Sequence, residues 1–228
     1  MYLRHIFEIR GQILTQTGLH IGGGKDSIQI GGMDQPIIKH PMNGQPYIPG
    51  SSLKGKMRSM IETVFFSDRI DTSRGEGMPV KEDCAVTRLF GTSNDQKPAD
   101  MGPTRIAVRD AYLSKDDAEL FRQGKLVMEE KYEVAIDRVR GTAMRSGPRP
   151  LERVPSGVKF DLSITLKQYE EDGEALLDLV KKGLRLIELD GLGGGVSRGS
   201  GQVSFENMFV DGQPFNLPEG FETRVDAA

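Results

Sequence analysis

The strongest constraint on the fold is a stretch in which every second residue is apolar. Its apolar members are Val158, Phe160, Leu162, Ile164 and Leu166. Because successive side chains of a strand point to opposite faces, this period of two predicts a strand with one buried face. Residues 2–14 alternate in a similar way and predict a half-buried strand near the start of the chain.

Two stretches with apolar residues at helical spacing predict long helices. The first begins at Ser51 or Ser52, either of which could cap it, and the second covers about 173–189. Shorter elements complete the pattern, with further strands over 105–113, 127–138 and 202–206 and short helices near 86–90 and 114–124. The order strand, helix, strand, strand, helix, strand is typical of an α+β ferredoxin-like (RRM-like) βαββαβ fold. Many unrelated activities use that fold, so it does not identify a function.

Loop-rich segments interrupt this order within one expected domain, 1–228. Residues 67–104 lack a long periodic pattern and predict an insertion, and residues 139–157 predict a loop or a protruding hairpin. Glycine accounts for 28 of 228 residues, about 12% against a typical ~7%. Such an excess indicates many backbone positions that need a positive φ or a close approach to another group.

Composition excludes several classes of protein. With 37% hydrophobic residues and a net charge of −3, the chain is too apolar and too weakly charged for an extended disordered protein. No run of about 18 apolar residues exists, so a membrane span is excluded, and the charges within the first 14 residues argue against a signal peptide. A single cysteine, Cys84, excludes an internal disulfide and favours a reducing, cytoplasmic location.

The loop Gly191–Gly201 follows a predicted helix and precedes a predicted strand. Walker and dinucleotide-binding loops lie in the opposite order, between a strand and the following helix, so neither type fits. Two interpretations remain: a backbone that approaches phosphates and donates N–H groups to them, or a flexible surface loop. The candidate binding residues here are Gly193, Gly194, Gly195, Ser197 and Arg198.

Two basic segments could contact a polyanion. The first predicted helix opens with Ser51, Ser52, Lys54, Lys56 and Arg58, which favours either an anion site at its N-terminus or a solvated basic face. Residues 138–159 form the most basic stretch, with Glu152 as its one acid. This stretch suits either a nucleic-acid backbone or pairing with acids elsewhere. Its cations are Arg138, Arg140, Arg145, Arg149, Arg153 and Lys159, and Met144, Pro148, Pro150 and Val154 could insert between bases.

Two further residues could carry chemistry. Asp34 lies in the glycine-rich stretch 31–36, where a carboxylate is either a turn residue or a ligand of hydrated Mg²⁺ near a phosphate. His20 could approach a phosphate, act as a base, or be a hydrogen-bonded structural histidine.

Seven segments together resemble the RAMP superfamily, and within it the repeated backbone subunits of type III-A (Csm-type) CRISPR interference complexes. They appear in the family's order over nearly the whole chain. The segments are Thr17–Gly23 (TGLHIGG), Met33–Lys39 (MDQPIIK), Ile48–Arg58 (IPGSSLKGKMR), Arg88–Gly91 (RLFG), Ile136–Arg138 (IDR), Leu151–Gly157 (LERVPSG) and Gly191–Gly201. The segment around Asp34 discriminates best, because cleaving backbone subunits carry an aspartate there.

The resemblance implies a palm domain with a lid insertion at about 67–104 and a thumb hairpin at about 139–156. It implies subunits that stack head to tail along a guide RNA beside other subunits of the complex, and thumbs that interrupt the guide–target duplex at regular intervals. Asp34 would then support cleavage of target RNA with Mg²⁺ (or Mn²⁺) as cofactor. The implied RNA-contacting residues are His20, Ser51, Ser52, Lys54, Lys56, Arg58, Arg138, Arg140, Arg145, Arg153, Gly193, Gly194, Gly195, Ser197 and Arg198.

The chain departs from the family pattern in one respect. Many relatives carry a cysteine-rich zinc site just before the RLFG segment, whereas this chain has only Cys84 there, so no zinc is expected. Three alternatives to target cleavage stay open. The chain could be a non-catalytic guide-RNA scaffold, a metal-independent guide-processing ribonuclease with a histidine base, or a small-molecule nucleotide-binding module.

Overall fold

The secondary structure is taken from a computed structural model that describes residues 2–23, 35–70, 72, 83–92, 101–145, 147–173 and 175–220. These ranges contain both strands and helices. The strands are β1 (Leu3–Thr15), β2 (Tyr47–Ile48), β3 (Ile106–Val108), β4 (Ala111–Tyr112), β5 (Glu129–Glu133), β6 (Arg149–Arg153), β7 (Lys159–Tyr169), β8 (Val203–Val210) and β9 (Gln213–Pro214). The helices are α1 (Gly50–Phe65), α2 (Ala85–Phe90), α3 (Lys115–Arg122) and α4 (Ala175–Asp190).

The main sheet is antiparallel, with strand order β3-β7-β1-β8-β9. Its central strand β1 pairs with β7 on one side and with β8 on the other. The register places Ile13 beside Phe160 and Phe205, and all three side chains are buried. The predicted period of two is therefore confirmed, because it places the apolar side chains of adjacent strands on one face. The mixed α+β class is confirmed with it.

Helices α1 and α4 pack against each other and contact the sheet, through β3 and β8 respectively. Their buried residues recur at helical spacing, as the sequence predicted. Gly183 of α4 allows the close approach, since a Cβ there would lie 2.5 Å from Cγ of Met57. Each fully buried aliphatic side chain stabilises such a core by about 1.5–3 kcal/mol.

The predicted cap of α1 is wrong. The helix begins at Gly50, Pro49 occupies the cap position, and no side chain caps it. Instead, the Gly50 N–H donates to Oδ1 of Asp110 at 2.8 Å. The reason is the close packing of α1 on β3, because a Cβ at Gly50 would lie 2.3 Å from the carbonyl oxygen of Val108.

Two strand predictions need correction. The predicted strand 105–113 is two strands, of which β3 joins the main sheet and β4 pairs with β2. Within predicted strand 127–138 only Glu129–Glu133 forms a strand; it pairs with β6, so the hairpin begins about ten residues before the predicted start at 139. The segment from Gly212 contains β9, which folds back on β8. The short helices near 86–90 and 114–124 are confirmed as α2 and α3. Ser114 caps α3, since its Oγ accepts the Asp117 N–H at 3.2 Å.

Candidate nucleic-acid interface

The glycine loop, residues 191–201, lies against the segment that follows β1. The Gly194 N–H donates to the carbonyl oxygen of His20 at 2.8 Å, and the Gly201 N–H donates to that of Gly18 at 2.9 Å. The Leu192 N–H closes the neck of the loop by donating to the Gly201 carbonyl at 2.8 Å. The glycine loop and the segment around His20, which the sequence analysis identified separately, are thus adjacent. Backbone hydrogen bonds between them hold the loop in place.

The glycines of this loop serve different purposes. Gly193 has a φ of +78°, and a Cβ there would lie 2.3 Å from the His20 carbonyl oxygen. Gly199 has nearly the same φ, +79°, but a Cβ there would meet nothing within 4 Å. Gly193 is therefore required by the packing of the protein on itself. Gly193 and Gly194 are also exposed, as are Ser197 and Arg198 near them in the same loop, so the loop presents backbone and side chains to a ligand.

His20 connects this loop to the β5–β6 hairpin. Its Nδ1 lies 2.8 Å from the carbonyl oxygen of Glu152 in β6. Because a carbonyl oxygen can only accept, Nδ1 is the donor in this contact. Both the main chain and the ring of His20 have structural partners, which favours the interpretation of His20 as a hydrogen-bonded structural histidine.

Glu152 was noted in the sequence only as the lone acid in a basic stretch. Its side chain is buried, with Oε2 accepting the Ile37 N–H at 3.0 Å and Oε1 contacting Nζ of Lys39 at 2.5 Å. Its own N–H donates to the carbonyl oxygen of Gln35 at 3.1 Å. One residue of β6 thus fixes the segment 35–39. The one sequence signal for this structural role was that Glu152 is a single acid among many cations.

Asp34, the predicted catalytic residue and metal ligand, lies outside the described residues. Its neighbour in the chain, Gln35, forms a parallel bridge with Leu151 of β6. Gln35, the first described residue after Asp34, therefore lies beside β6 and close to Glu152, whose carbonyl oxygen contacts His20.

Basic side chains of α1 contact other groups of the protein, so they do not form the solvated face that was one of the two interpretations. Arg58 is only 19% exposed and donates to Glu62 Oε1 and to the Gly91 carbonyl oxygen, both at 2.8 Å. Lys56 forms an ion pair with Asp190, the last residue before the glycine loop. Burial, followed by the charge of Arg58, lowers the pKa of Lys54. Of the two serines at the start of α1, Ser51 is exposed and Ser52 half-buried.

The connection between β5 and β6 carries the exposed cations of the hairpin. Arg138, Arg140 and Arg145 are exposed, and Oδ1 of Asp137 accepts the N–H groups of residues 139 and 140 in the turn. The prediction that Val154 could insert between bases is wrong. It is 3% exposed and pairs with the segment after β1.

Two arginines, one in the hairpin and one in the glycine loop, connect these two elements. Arg153 lies 2.7 Å from Glu129 Oε2 in β5 and 3.1 Å from Ser200 Oγ in the glycine loop. Arg198 of the loop lies 3.0 Å from Oε1 of Glu133. Since Lys56 of α1 pairs with Asp190 next to the glycine loop, α1, the glycine loop and the hairpin are neighbours in the fold.

The described ranges contain no group of three or more His, Cys, Asp or Glu side chains that could hold a metal ion. Cys84 is buried at the start of α2, where its carbonyl and backbone N–H bond to Thr87 Oγ1. None of the helices described is long and apolar enough to cross a membrane.

Comparisons with known proteins agree with the resemblance found in the sequence. The family model described as the RAMP superfamily matches residues 12–204. The chain is 41% identical over 227 residues to the CRISPR system Cms endoribonuclease Csm3 of Methanothermobacter thermautotrophicus, covering 93% of this chain and 88% of that protein. It is 36% identical to the protein of the same name from Methanocaldococcus jannaschii, covering 94% and 84%. A crystal structure of the Csm3-Csm4 subcomplex in the type III-A CRISPR-Cas interference complex contains a similar chain, with a TM-score of 0.57, 26% identity and coverage of 91% and 79%.

Proposed function

The chain belongs to the RAMP superfamily and to its Csm3 family of endoribonucleases, and we propose that it is the repeated, RNA-cleaving backbone subunit of a type III-A CRISPR effector complex. Its substrates in this proposal are a guide RNA, which it binds, and a complementary target RNA, which it cuts. Its protein partners are further copies of itself and the other subunits of the complex. The observation that carries the proposal is the junction at which the glycine loop, His20, the hairpin and Gln35 meet.

The finer architecture follows the family arrangement. The strand order β3-β7-β1-β8, with α1 after the first strand and α4 after β7, supports a ferredoxin-like palm. In this proposal the β5–β6 hairpin with its connection 134–148 is the thumb. Residues 67–104 are the lid insertion, of which residues 71, 73–82 and 93–100 lie outside the described residues. The sequence of the target RNA would then be recognised by its pairing with the guide, while the protein holds the RNA backbone.

The exposed groups of the hairpin, the glycine loop and α1 are the proposed RNA contacts. At the hairpin these are the exposed arginines of the connection, whose charges suit phosphate binding. In the glycine loop they are exposed backbone N–H groups. On α1, Lys54 is half-buried at the N-terminal end of the helix, and its lowered pKa is consistent with a group that gains from an added anion.

Asp34 is the proposed catalytic residue. The described residues do not form a metal cluster by themselves, so the fit rests on one carboxylate, which is a common donor set for Mg²⁺ because that ion keeps several waters and binds substrate phosphates. When bound, Mg²⁺ (or Mn²⁺) would supply positive charge to the reacting phosphate. The protein's own part is to hold a displaced target nucleotide so that its 2′-hydroxyl lies in line with the adjacent phosphorus.

The test compares the reconstituted complex carrying wild-type chain, Asp34→Ala or Asp116→Ala, each with Mg²⁺ and with EDTA. Asp116 is an exposed acid on α3 and serves as the matched control. The proposal expects Asp34→Ala and EDTA to abolish cleavage of complementary RNA with binding retained, while Asp116→Ala cuts like wild type. Unchanged cleavage by Asp34→Ala would refute the assignment, and binding without any cleavage by wild type would leave a guide scaffold.

A further inference from the structure

We infer that Arg153 and Arg198 are positioning residues and not RNA ligands. Each ties the β5–β6 hairpin to the glycine loop, Arg153 of the hairpin through Ser200 of the loop and Arg198 of the loop through Glu133 of the hairpin. The sequence alone placed both arginines among the RNA contacts, because it could not show their partners. The inference rests on the proposed function for its effect on cleavage, but the ties themselves are contacts within the chain.

The first tie is built around Arg153. Its side chain is only 16% exposed, and its Nη2 lies 2.7 Å from Glu129 Oε2 on the paired strand. Its Nη1 lies 3.1 Å from Oγ of Ser200, which is buried at the end of the glycine loop. The guanidinium group therefore joins β6, β5 and the loop at a single point. With so little of the side chain exposed, a phosphate has little access to it.

Gly18 makes room for this arginine. A Cβ at position 18 would lie 2.5 Å from Arg153 Nε and 2.8 Å from Glu129 Oε2. The glycine is itself bonded to the loop, since its carbonyl oxygen accepts the Gly201 N–H at 2.9 Å. The site thus has the close fit of a structural contact, and hydrogen bonds to charged groups in such a setting are among the stronger ones.

The second tie lies at the outer side of the loop. Arg198 Nε contacts Glu133 Oε1 at 3.0 Å, and Lys131 Nζ donates to the Arg198 carbonyl oxygen at 2.6 Å. The hydrogen bond from Arg198 is the main cause of a lowered pKa of Glu133. Arg198 is 60% exposed, so this pair is weaker than the first, but Lys131 and Glu133 lie on the same strand and both hold the loop.

The two ties have a mechanical consequence. The glycine loop is the proposed guide-binding part and the hairpin is the proposed thumb, so a fixed geometry between them sets where the hairpin meets the guide–target duplex. Loss of the ties should leave guide binding intact and slow cleavage, because a small misplacement of a positioning element costs rate more than affinity.

The first experiment uses the chain alone and measures hydrogen exchange of the β5 and β6 amides. Arg153→Gln should speed this exchange about tenfold. Arg149→Gln, which removes the same charge from an exposed position on β6, should leave it within twofold of wild type. Unchanged exchange in Arg153→Gln would overturn the first tie, whatever the complex does with RNA.

The second experiment uses the assembled complex and separates a tie from an RNA contact. A tie predicts that Arg153→Gln keeps guide affinity and its salt dependence but slows target cleavage about tenfold or more. A phosphate ligand predicts weaker guide binding and a salt slope lower by about one, and that result would overturn the inference. If wild-type complex cuts nothing, the proposed function fails while the exchange data still decide the tie.

A charge swap tests the second tie. Arg198→Glu and Glu133→Arg should each speed exchange of β5, and the double variant should return it to within about twofold of wild type. A double variant as fast as the worse single variant would overturn this tie.

Discussion

Replacing Gly193 with alanine should disrupt the glycine loop far more than the same change at Gly199. Both residues have a φ close to +78°, so each substitution costs about 1–2 kcal/mol for a left-handed non-glycine residue. Only at Gly193 would the new Cβ also lie 2.3 Å from the His20 carbonyl oxygen. To relieve that contact the loop must move away by about an ångström, which breaks the 2.8 Å hydrogen bond from the Gly194 N–H. The loss of this bond adds about 1–3 kcal/mol.

The assay for this prediction is urea unfolding of the two variants and wild type. With an m-value of about 2 kcal/mol/M, an extra 2 kcal/mol lowers the midpoint of Gly193→Ala about 1 M below that of Gly199→Ala. Guide binding should be weakened more in Gly193→Ala, because the loop carries the proposed backbone contacts. Equal midpoints for the two variants would refute the reasoning, since they would show that the contact with His20 does not constrain the loop.

Two further variants test contacts away from the loop. Glu152→Ala should lower the free energy of unfolding by about 1–3 kcal/mol, because the buried Ile37 N–H loses its acceptor, whereas Glu152→Gln keeps an amide oxygen there and should cost less; equal losses in urea unfolding would contradict this. The pKa of Asp211 is held below its ordinary range, first by the Glu8 N–H and then by His5. Its stabilisation is therefore complete above the ordinary pKa of an aspartate and is lost as the pH falls through the lowered value. Asp211→Asn should be less stable than wild type at neutral pH, and the difference should shrink in acid; a difference independent of pH would refute that linkage.

Elements whose signal is local were predictable from the sequence. The alternation in β7 and the helical spacing in α4 report which face of each element is buried, and the structure confirms both. The start of α1 was not predictable, because its first N–H bonds to Asp110, 60 residues away. The predicted length of β5 was wrong because Val134 and Ile136, taken as part of a strand, are exposed in the connection.

In the candidate site too, single segments could be predicted from the sequence, whereas the contacts between them could not. The residue types of the glycine loop and of the segment around His20 identified both as candidate RNA-binding segments. That the two segments are adjacent could be seen only in the structure. The partners of Arg153 could not be inferred, since Glu129 and Ser200 lie 24 and 47 residues from it along the chain. A cation in a basic stretch suggests RNA binding until the acid that pairs with it is known.

The proposed activity is tested most directly by mapping, at single-nucleotide resolution, the cuts that the reconstituted complex makes in a guide-complementary RNA and in a guide precursor, each with Mg²⁺ and with EDTA. A repeated backbone subunit that cleaves target RNA predicts cuts at one constant spacing, with a number that rises with the number of copies in the complex. Cuts confined to the guide precursor and persisting in EDTA would contradict the account and identify a guide-processing ribonuclease instead.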